Sequence, residues 1–307
     1  MEIHEILLTI VFFIVIGGLI YIDLEVLNKK SHVISTGEAA LYSFMWISIA
    51  LLFNLGIYFY IGKEKAVEFL TAYLVEESLS IDNLFVFVVI LSKFDIHPKY
   101  QPRVLKWGIL GAIVFRGIFI VAGIELIKMF EWMIYVFGLV LIYTGVKLFF
   151  EKDKVIDPSE SRVLKFLRKN FPVTFRDHEG RFFIKKMGKR FITTMFLALA
   201  LIETSDIIFA FDSIPAVIAI TRDPFIAYTS NIFAVLGLRS IYFLISNLVM
   251  IFKFLKYGVA TILVFVGVKM LISHYYEIHN VISLLIIASI LGLSILLSIL
   301  IPQKGSS

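Results

Sequence analysis

The stretch Val75–Ile90, VEESLSIDNLFVFVVI, decides how this chain folds. It sits where the chain should cross a membrane, yet it carries Glu76, Glu77 and Asp82, none of which belongs in oil. Further along, Ile202–Val217 reads IETSDIIFAFDSIPAV and places Glu203, Asp206 and Asp212 in the same kind of surroundings. The chain around these two stretches must explain why carboxylates lie twice inside apolar segments.

Composition sets the class. Of 307 residues, 59% are hydrophobic, 30 are Phe and only 17% are charged, where a soluble domain carries roughly 25% charge. The apolar residues run in blocks of about 20, the length that crosses a hydrocarbon core. The fold class is therefore an all-α polytopic membrane protein. The chain has no cysteine, which excludes disulfides, thiolate metal sites and Cys-based redox chemistry. The first apolar block, Ile6–Ile22, follows Glu2 and Glu5 instead of basic residues and has no small-residue cleavage site. It reads as a retained helix, not as a signal peptide.

Nine spans are expected, at about 5–23, 40–61, 69–91, 104–124, 131–150, 192–220, 227–252, 257–273 and 281–301. The one long connection, 151–191, holds twelve Lys and Arg and is assigned to the cytoplasm. Nine spans then place 21 basic residues inside and only Lys63, Lys65, Lys128 and Arg222 outside. The N-terminus is accordingly outside and the C-terminus inside. The net charge of +5 reflects this topology, and nucleic acid is not an expected partner. Within the connection, Ser161–Phe171 spaces its apolar residues as a short amphipathic helix lying at the interface. The following FRDHEGRFFIKKMGKRF resembles a small hairpin.

Three pairs of segments repeat in order. LSIDNLFVF (79–87) matches FAFDSIPAV (209–217), placing Asp82 on Asp212 and Glu76 on Asp206. GILGAIVFRGIF (108–119) matches NIFAVLGLRSIY (231–242), placing Arg116 on Arg239. YTGVKLF (143–149) matches FVGVKML (265–271), placing Lys147 on Lys269. The expected division is two N-terminal transmembrane helices (1–68), a first three-helix repeat (69–150), the basic cytoplasmic loop (151–191), a second repeat (192–275), and a C-terminal helix with its tail (276–307). Each repeat crosses three times, so the second copy runs upside down, the usual construction of secondary transporters. On this reading Glu76 and Asp212 fall in the outer half of the membrane, and Asp82 and Asp206 nearer the inner half.

A carboxylate at mid-bilayer costs about 2.5–3.5 kcal/mol on insertion scales. Four therefore cost on the order of 10 kcal/mol, comparable to the stability of a whole domain. Arg116 and Arg239 balance two of the charges, and the remainder suits a cation. The oxygens of Asp82, Asn83, Asp212 and Ser213 fit Mn²⁺, Mg²⁺ or Ca²⁺. Pro215 frees a backbone carbonyl near Asp212. All six histidines lie near span ends or in loops, which argues against an imidazole cage. Residues six apart on a regular helix differ by about 240°. Glu76 and Asp82 thus cannot face one cavity unless the helix unwinds or one of them serves another partner, and the same holds for Asp206 and Asp212. Glu203 and Asp206, three apart, do share a face. For Glu77, a solvent or headgroup position and a place in the site stand level. Asn54 is expected to bond between helices, and Lys147 and Lys269 to extend to the interface.

The runs EESLSIDNLFVF and ETSDIIFAFDSIPA, with TRDPF, SNIFAVLGLRSIYFL and LKYG downstream, resemble the TerC family in its Alx-type branch over nearly the whole chain. The resemblance implies an integral membrane exporter of Mn²⁺ and no enzymatic activity. The metal is then transported substrate, with no resident cofactor, and the partners are that divalent ion and the lipid bilayer. By position it implies Glu76, Asp82, Glu203, Asp206 and Asp212 as metal-site residues, with Asn83 and Ser213 beside them. Glu77 is outside the family pattern. A second implied reading is a membrane-assembly or scaffold protein without transport, as relatives in plastids suggest.

Overall fold

The computed structural model describes residues 10, 12, 14, 16–18, 34–150, 161–174, 180–186, 189–246, 254–276 and 278–300. The side chains of Ile81, Asp82, Phe85, Lys186, Ile245, Ser246 and Ile299 lie outside that description. The described residues of the first expected span, 10, 12, 14 and 16–18, are helical; the rest of 5–23 falls outside the described residues.

Eight long helices follow: α1 (Thr36–Tyr60), α2 (Lys63–Lys93), α3 (Gln101–Met129), α4 (Met133–Phe150), α6 (Thr194–Ile218), α7 (Pro224–Ser246), α8 (Leu255–Ile272) and α9 (Asn280–Leu300). The short α5 (Arg162–Asn170) precedes β1 (Val173–Thr174), β2 (Phe183–Lys186) and β3 (Lys189–Thr193). Among the described residues, six helices are long and apolar enough to cross a membrane by length and composition. Helices α2 and α7 fall outside that set. Large apolar side chains such as Leu41, Phe44, Leu52 and Phe59 on α1, and Leu285, Leu293 and Leu296 on α9, stand exposed on the bundle surface, as befits a protein whose solvent there is lipid.

Local chemistry sets the helix ends. Ser35 and Glu38 form a reciprocal capping box at the start of α1. Only two residues join α1 to α2, and Gly62 takes φ +129°, a conformation that side-chain-bearing residues rarely adopt. Asp223 Oδ1 accepts from the Phe225 and Ile226 N–H groups at 2.9 and 3.4 Å, with Pro224 opening α7. Helix α2 starts six residues before the expected span at 69, because nothing between Lys63 and Glu68 breaks a helix. Charge there ends the apolar run but not the helix.

Helices α2, α4, α7 and α9 begin, and α3, α6 and α8 end, at one face of the bundle, where Lys65 Nζ lies 3.6 Å from Asp223 Oδ2 and Asn280 Nδ2 reaches Glu68. Helix α2, 31 residues long, runs about 45 Å to the opposite face. There α5 and the strands close over a core containing Leu91, Ile96, Tyr100, Leu164 and Ile192. The three strands order β1-β3-β2, with β1 parallel and β2 antiparallel to β3. The β2–β3 pair is the hairpin expected within 175–191, and β3 passes directly into α6.

Packing is reciprocal. Helix α2 lies on α7 and on α6, α3 on α6 and on α7, and α4 on α8. Helices α4 and α8 meet backbone to backbone. A Cβ on Gly267 would stand 2.7 Å from the Gly138 carbonyl oxygen, and one on Gly145 2.7 Å from that of Ala260. Small residues permit this approach, in which van der Waals contact replaces the hydrophobic drive that lipid cannot supply.

Candidate functional site

The centre of the bundle is an ion triad. Arg116 on α3 is buried, and its Nη1 donates to Glu76 Oε2 on α2 at 2.6 Å. The other edge of the guanidinium donates to Asp206 on α6 as a fork, Nη2 to Oδ1 at 2.9 Å and Nε to Oδ2 at 3.2 Å. Glu76 is 0% exposed and Arg116 1%, so this is a desolvated, charge-assisted pair of the stronger kind. One guanidinium thus faces two carboxyl groups, from two different helices.

Several polar atoms around the triad have no hydrogen-bond partner. They include Glu76 Oε1, Ser80 Oγ one turn along α2 and Glu203 Oε2. Ser213 stands beside Glu76. Glu203, on the same face of α6 as Asp206, lies against Gly111 of α3, where the missing side chain makes room for the carboxylate. Buried polar atoms are normally paired, so a group of orphaned oxygens needs an explanation.

The remaining expected residues separate. Helices α2 and α6 are each continuous through their acids, so residues six apart face different sides. Asp206 takes Arg116, while Asp212 is half-buried and accepts from Thr144 Oγ1 of α4 at 2.9 Å. Lys147, on the same helix as Thr144, is close enough to attract Asp212 electrostatically. Asn83 and Arg239 are both buried. Asp82 is on α2, with its side chain outside the described residues. Among the described residues, no three His, Asp or Glu side chains stand close enough to hold a metal ion together.

Three expectations need correction, and the position of Glu77, left open by the sequence, is decided against solvent. The two acid layers do not form, because Arg116 holds Glu76 and Asp206 at one depth; Asp212 lies nearer the α6 C-terminus and Asp82 nearer the α2 C-terminus. Both Glu77 oxygens are buried without partners near Gly237, not in solvent or headgroups. Lys269 does not extend to the interface: it is buried and donates to Asn280 Oδ1, at the start of α9, at 3.3 Å. Asn54 Oδ1 is buried with no bond to another helix.

A second polar group was missed because it lies at a span end. Glu68 accepts from Thr221 Oγ1 at 2.6 Å, Lys65 Nζ at 2.9 Å and Asn280 Nδ2 at 3.4 Å, tying α2 to the α6–α7 turn and to α9. It borders a cavity of about 1160 Å³ that also touches Glu131, Arg222 and Lys269. Neither Glu76, Asp206 nor Asp212 lines this cavity. It is a vestibule at one face, separate from the triad. Thr144 was legible in principle, since it sits within the repeated YTGVKLF block beside Gly145.

The lipid-facing helical bundle with charges paired at its centre defines the class: an all-α polytopic membrane protein. Residues 61–306 match the family described as "Integral membrane protein TerC family", and the chain belongs to that family. An uncharacterized membrane protein of Myxococcus xanthus is 46% identical over 92% of this chain and 89% of its own length. One from Rickettsia felis is 42% identical over 95% of this chain and 97% of its own. A Salmonella typhi protein, described provisionally as the membrane-bound redox modulator Alx, is 43% identical over 94% and 92%. No solved structure matches the chain.

Proposed function

We propose that this chain is a secondary transporter that exports a hard divalent cation, Mn²⁺ before others, across a bacterial cytoplasmic membrane in exchange for protons. The observation that carries this reading is the set of buried, unpartnered oxygens on Glu76, Ser80 and Glu203, with the Ser213 hydroxyl beside them. Carboxylate and hydroxyl oxygens are ligands for Mn²⁺, Mg²⁺ and Ca²⁺, and no thiol is available in the chain to select a softer ion. Mg²⁺ dehydrates reluctantly and demands near-ideal octahedral geometry, so Mn²⁺ is the better fit to so irregular a set.

Helix direction and packing support an inverted repeat. Helices α2–α4 begin, end and begin at the Lys65 face, while α6–α8 end, begin and end there. The contacts exchange correctly under the sequence match: α2 on α7 answers α6 on α3, and Gly138 on Gly267 answers Ala260 on Gly145. Arg116 competes with the transported ion for Glu76 and Asp206, so loading requires the fork to open or the ion to use the orphaned oxygens. Asp82 and Asp212 flank this centre along the path and pass the ion on.

The test is cellular manganese after a manganese challenge. Asp82→Asn and Asp212→Asn are each expected to abolish efflux while leaving inserted protein, since losing an intramembrane charge eases insertion. Wild-type efflux from a well-expressed variant removes that residue from the path. A scaffold role without transport predicts that both substitutions are tolerated.

A further inference from the structure

The face opposite the vestibule carries an unusual surface. Between 161 and 193 the sequence carries ten Lys and Arg against two acids, Asp177 and Glu179. Helix α5 turns Leu164 into the core beneath it, with Leu167 packed alongside. On the other side of that helix, Arg162, Lys165, Phe166 and Lys169 fall within about 100° of one another, and all four are exposed. Phe166, Phe171 and Phe183 are exposed too, and Lys185, Lys189 and Arg190 extend the basic surface across the strands. Strand β3 enters α6 at Thr194 without a linker. Arg190 is therefore held within a few residues of a membrane-crossing helix.

From these positions we infer that α5 and the β2–β3 hairpin form a docking surface for the anionic lipid headgroups of the leaflet next to them. Lipid is the occupant because cations interleaved with exposed aromatic rings match a charged headgroup layer above an acyl boundary. The direct join to α6 keeps the surface close to a helix long and apolar enough to cross a membrane. A nucleic acid would be met by the same cations, but it gives the attachment to α6 no role. The inference stands apart from the transport reading, since no residue of this surface belongs to the triad.

The chain has no cysteine, so Phe166→Cys introduces a unique thiol. The full chain is reconstituted in nanodiscs of phosphatidylcholine with or without phosphatidylglycerol and labelled with an uncharged polyethylene-glycol maleimide. Labelling at position 166 is expected to slow several-fold with phosphatidylglycerol, and to recover at high salt. Tyr276→Cys, at the opposite face, is expected to label at the same rate in both. Adding Lys165→Glu and Lys169→Glu to Phe166→Cys should abolish the lipid dependence. Equal rates at position 166 in the two lipids, or slowing that survives both charge reversals, overturns the inference. Protection by added RNA in neutral nanodiscs, with no effect of phosphatidylglycerol, overturns it in favour of nucleic acid.

Discussion

Arg116 is the side chain whose surroundings are most demanding. Two carboxylates and a guanidinium have left water together, and only their mutual geometry offsets that desolvation. Breaking a buried pair by removing one partner typically costs about 3–5 kcal/mol, because the charge left behind has nowhere to go. Arg116→Met is therefore expected to lower the melting temperature in detergent sharply. Adding Glu76→Gln and Asp206→Asn should restore much of it, by leaving no orphaned charge. If the single variant melts like the wild type, the triad contributes nothing to stability. Gly111 makes a different prediction. A methyl there would collide with the far end of the flexible Glu203 side chain, which can rotate away. Gly111→Ala should leave melting nearly unchanged and reduce manganese efflux, read in the same cells. Intact efflux with a displaced Glu203 would remove that carboxylate from the transport path.

Between elements, the decisive contact is α4 against α8. A Cβ at Gly145 or Gly267 meets a backbone carbonyl oxygen at 2.7 Å, and a backbone cannot rotate out of the way as Glu203 can. The helices must separate, and overpacking of this kind costs about 1–3 kcal/mol. Gly267→Ala and Gly145→Ala are each expected to lower the detergent melting temperature, unlike Gly292→Ala, where an added Cβ meets nothing within 4 Å. Equal melting of all three variants would show that α4 and α8 are not in backbone contact. Glu68 acts at the same scale. Its bonds to Thr221 and Asn280 join α2, the α6–α7 turn and α9 at the vestibule rim, although each involves only a side chain near a helix end.

At the scale of the molecule, the proposed exchange of metal for protons has a sign. Carboxylates must be ionised to coordinate a cation, so binding competes with protonation and affinity increases as pH rises. Calorimetric titrations of Mn²⁺ into purified protein at several pH values, in buffers of different ionisation enthalpy, should show tighter binding at higher pH and buffer-dependent heat. A flat affinity without buffer dependence would rule out proton exchange while leaving metal transport open.

Membrane class, the positions of eight helices, the hairpin and the twinned acidic stretches could all be read from the residues in order. Hydropathy and helix capping act along the chain over short distances, and the chain itself records them. Pairing could not be read that way. Whether Glu76 meets Arg116, Asp212 meets Thr144, Lys269 meets Asn280 or Glu77 is left without a partner depends on how far each helix is rotated about its axis. That rotation is set by contacts between residues far apart in sequence, such as Gly138 against Gly267 and Glu203 against Gly111. The sequence by itself determined that carboxylates would lie within long apolar helices. Only the packed bundle, where one guanidinium can reach two helices, decided which of them are neutralised and which oxygens remain unpaired.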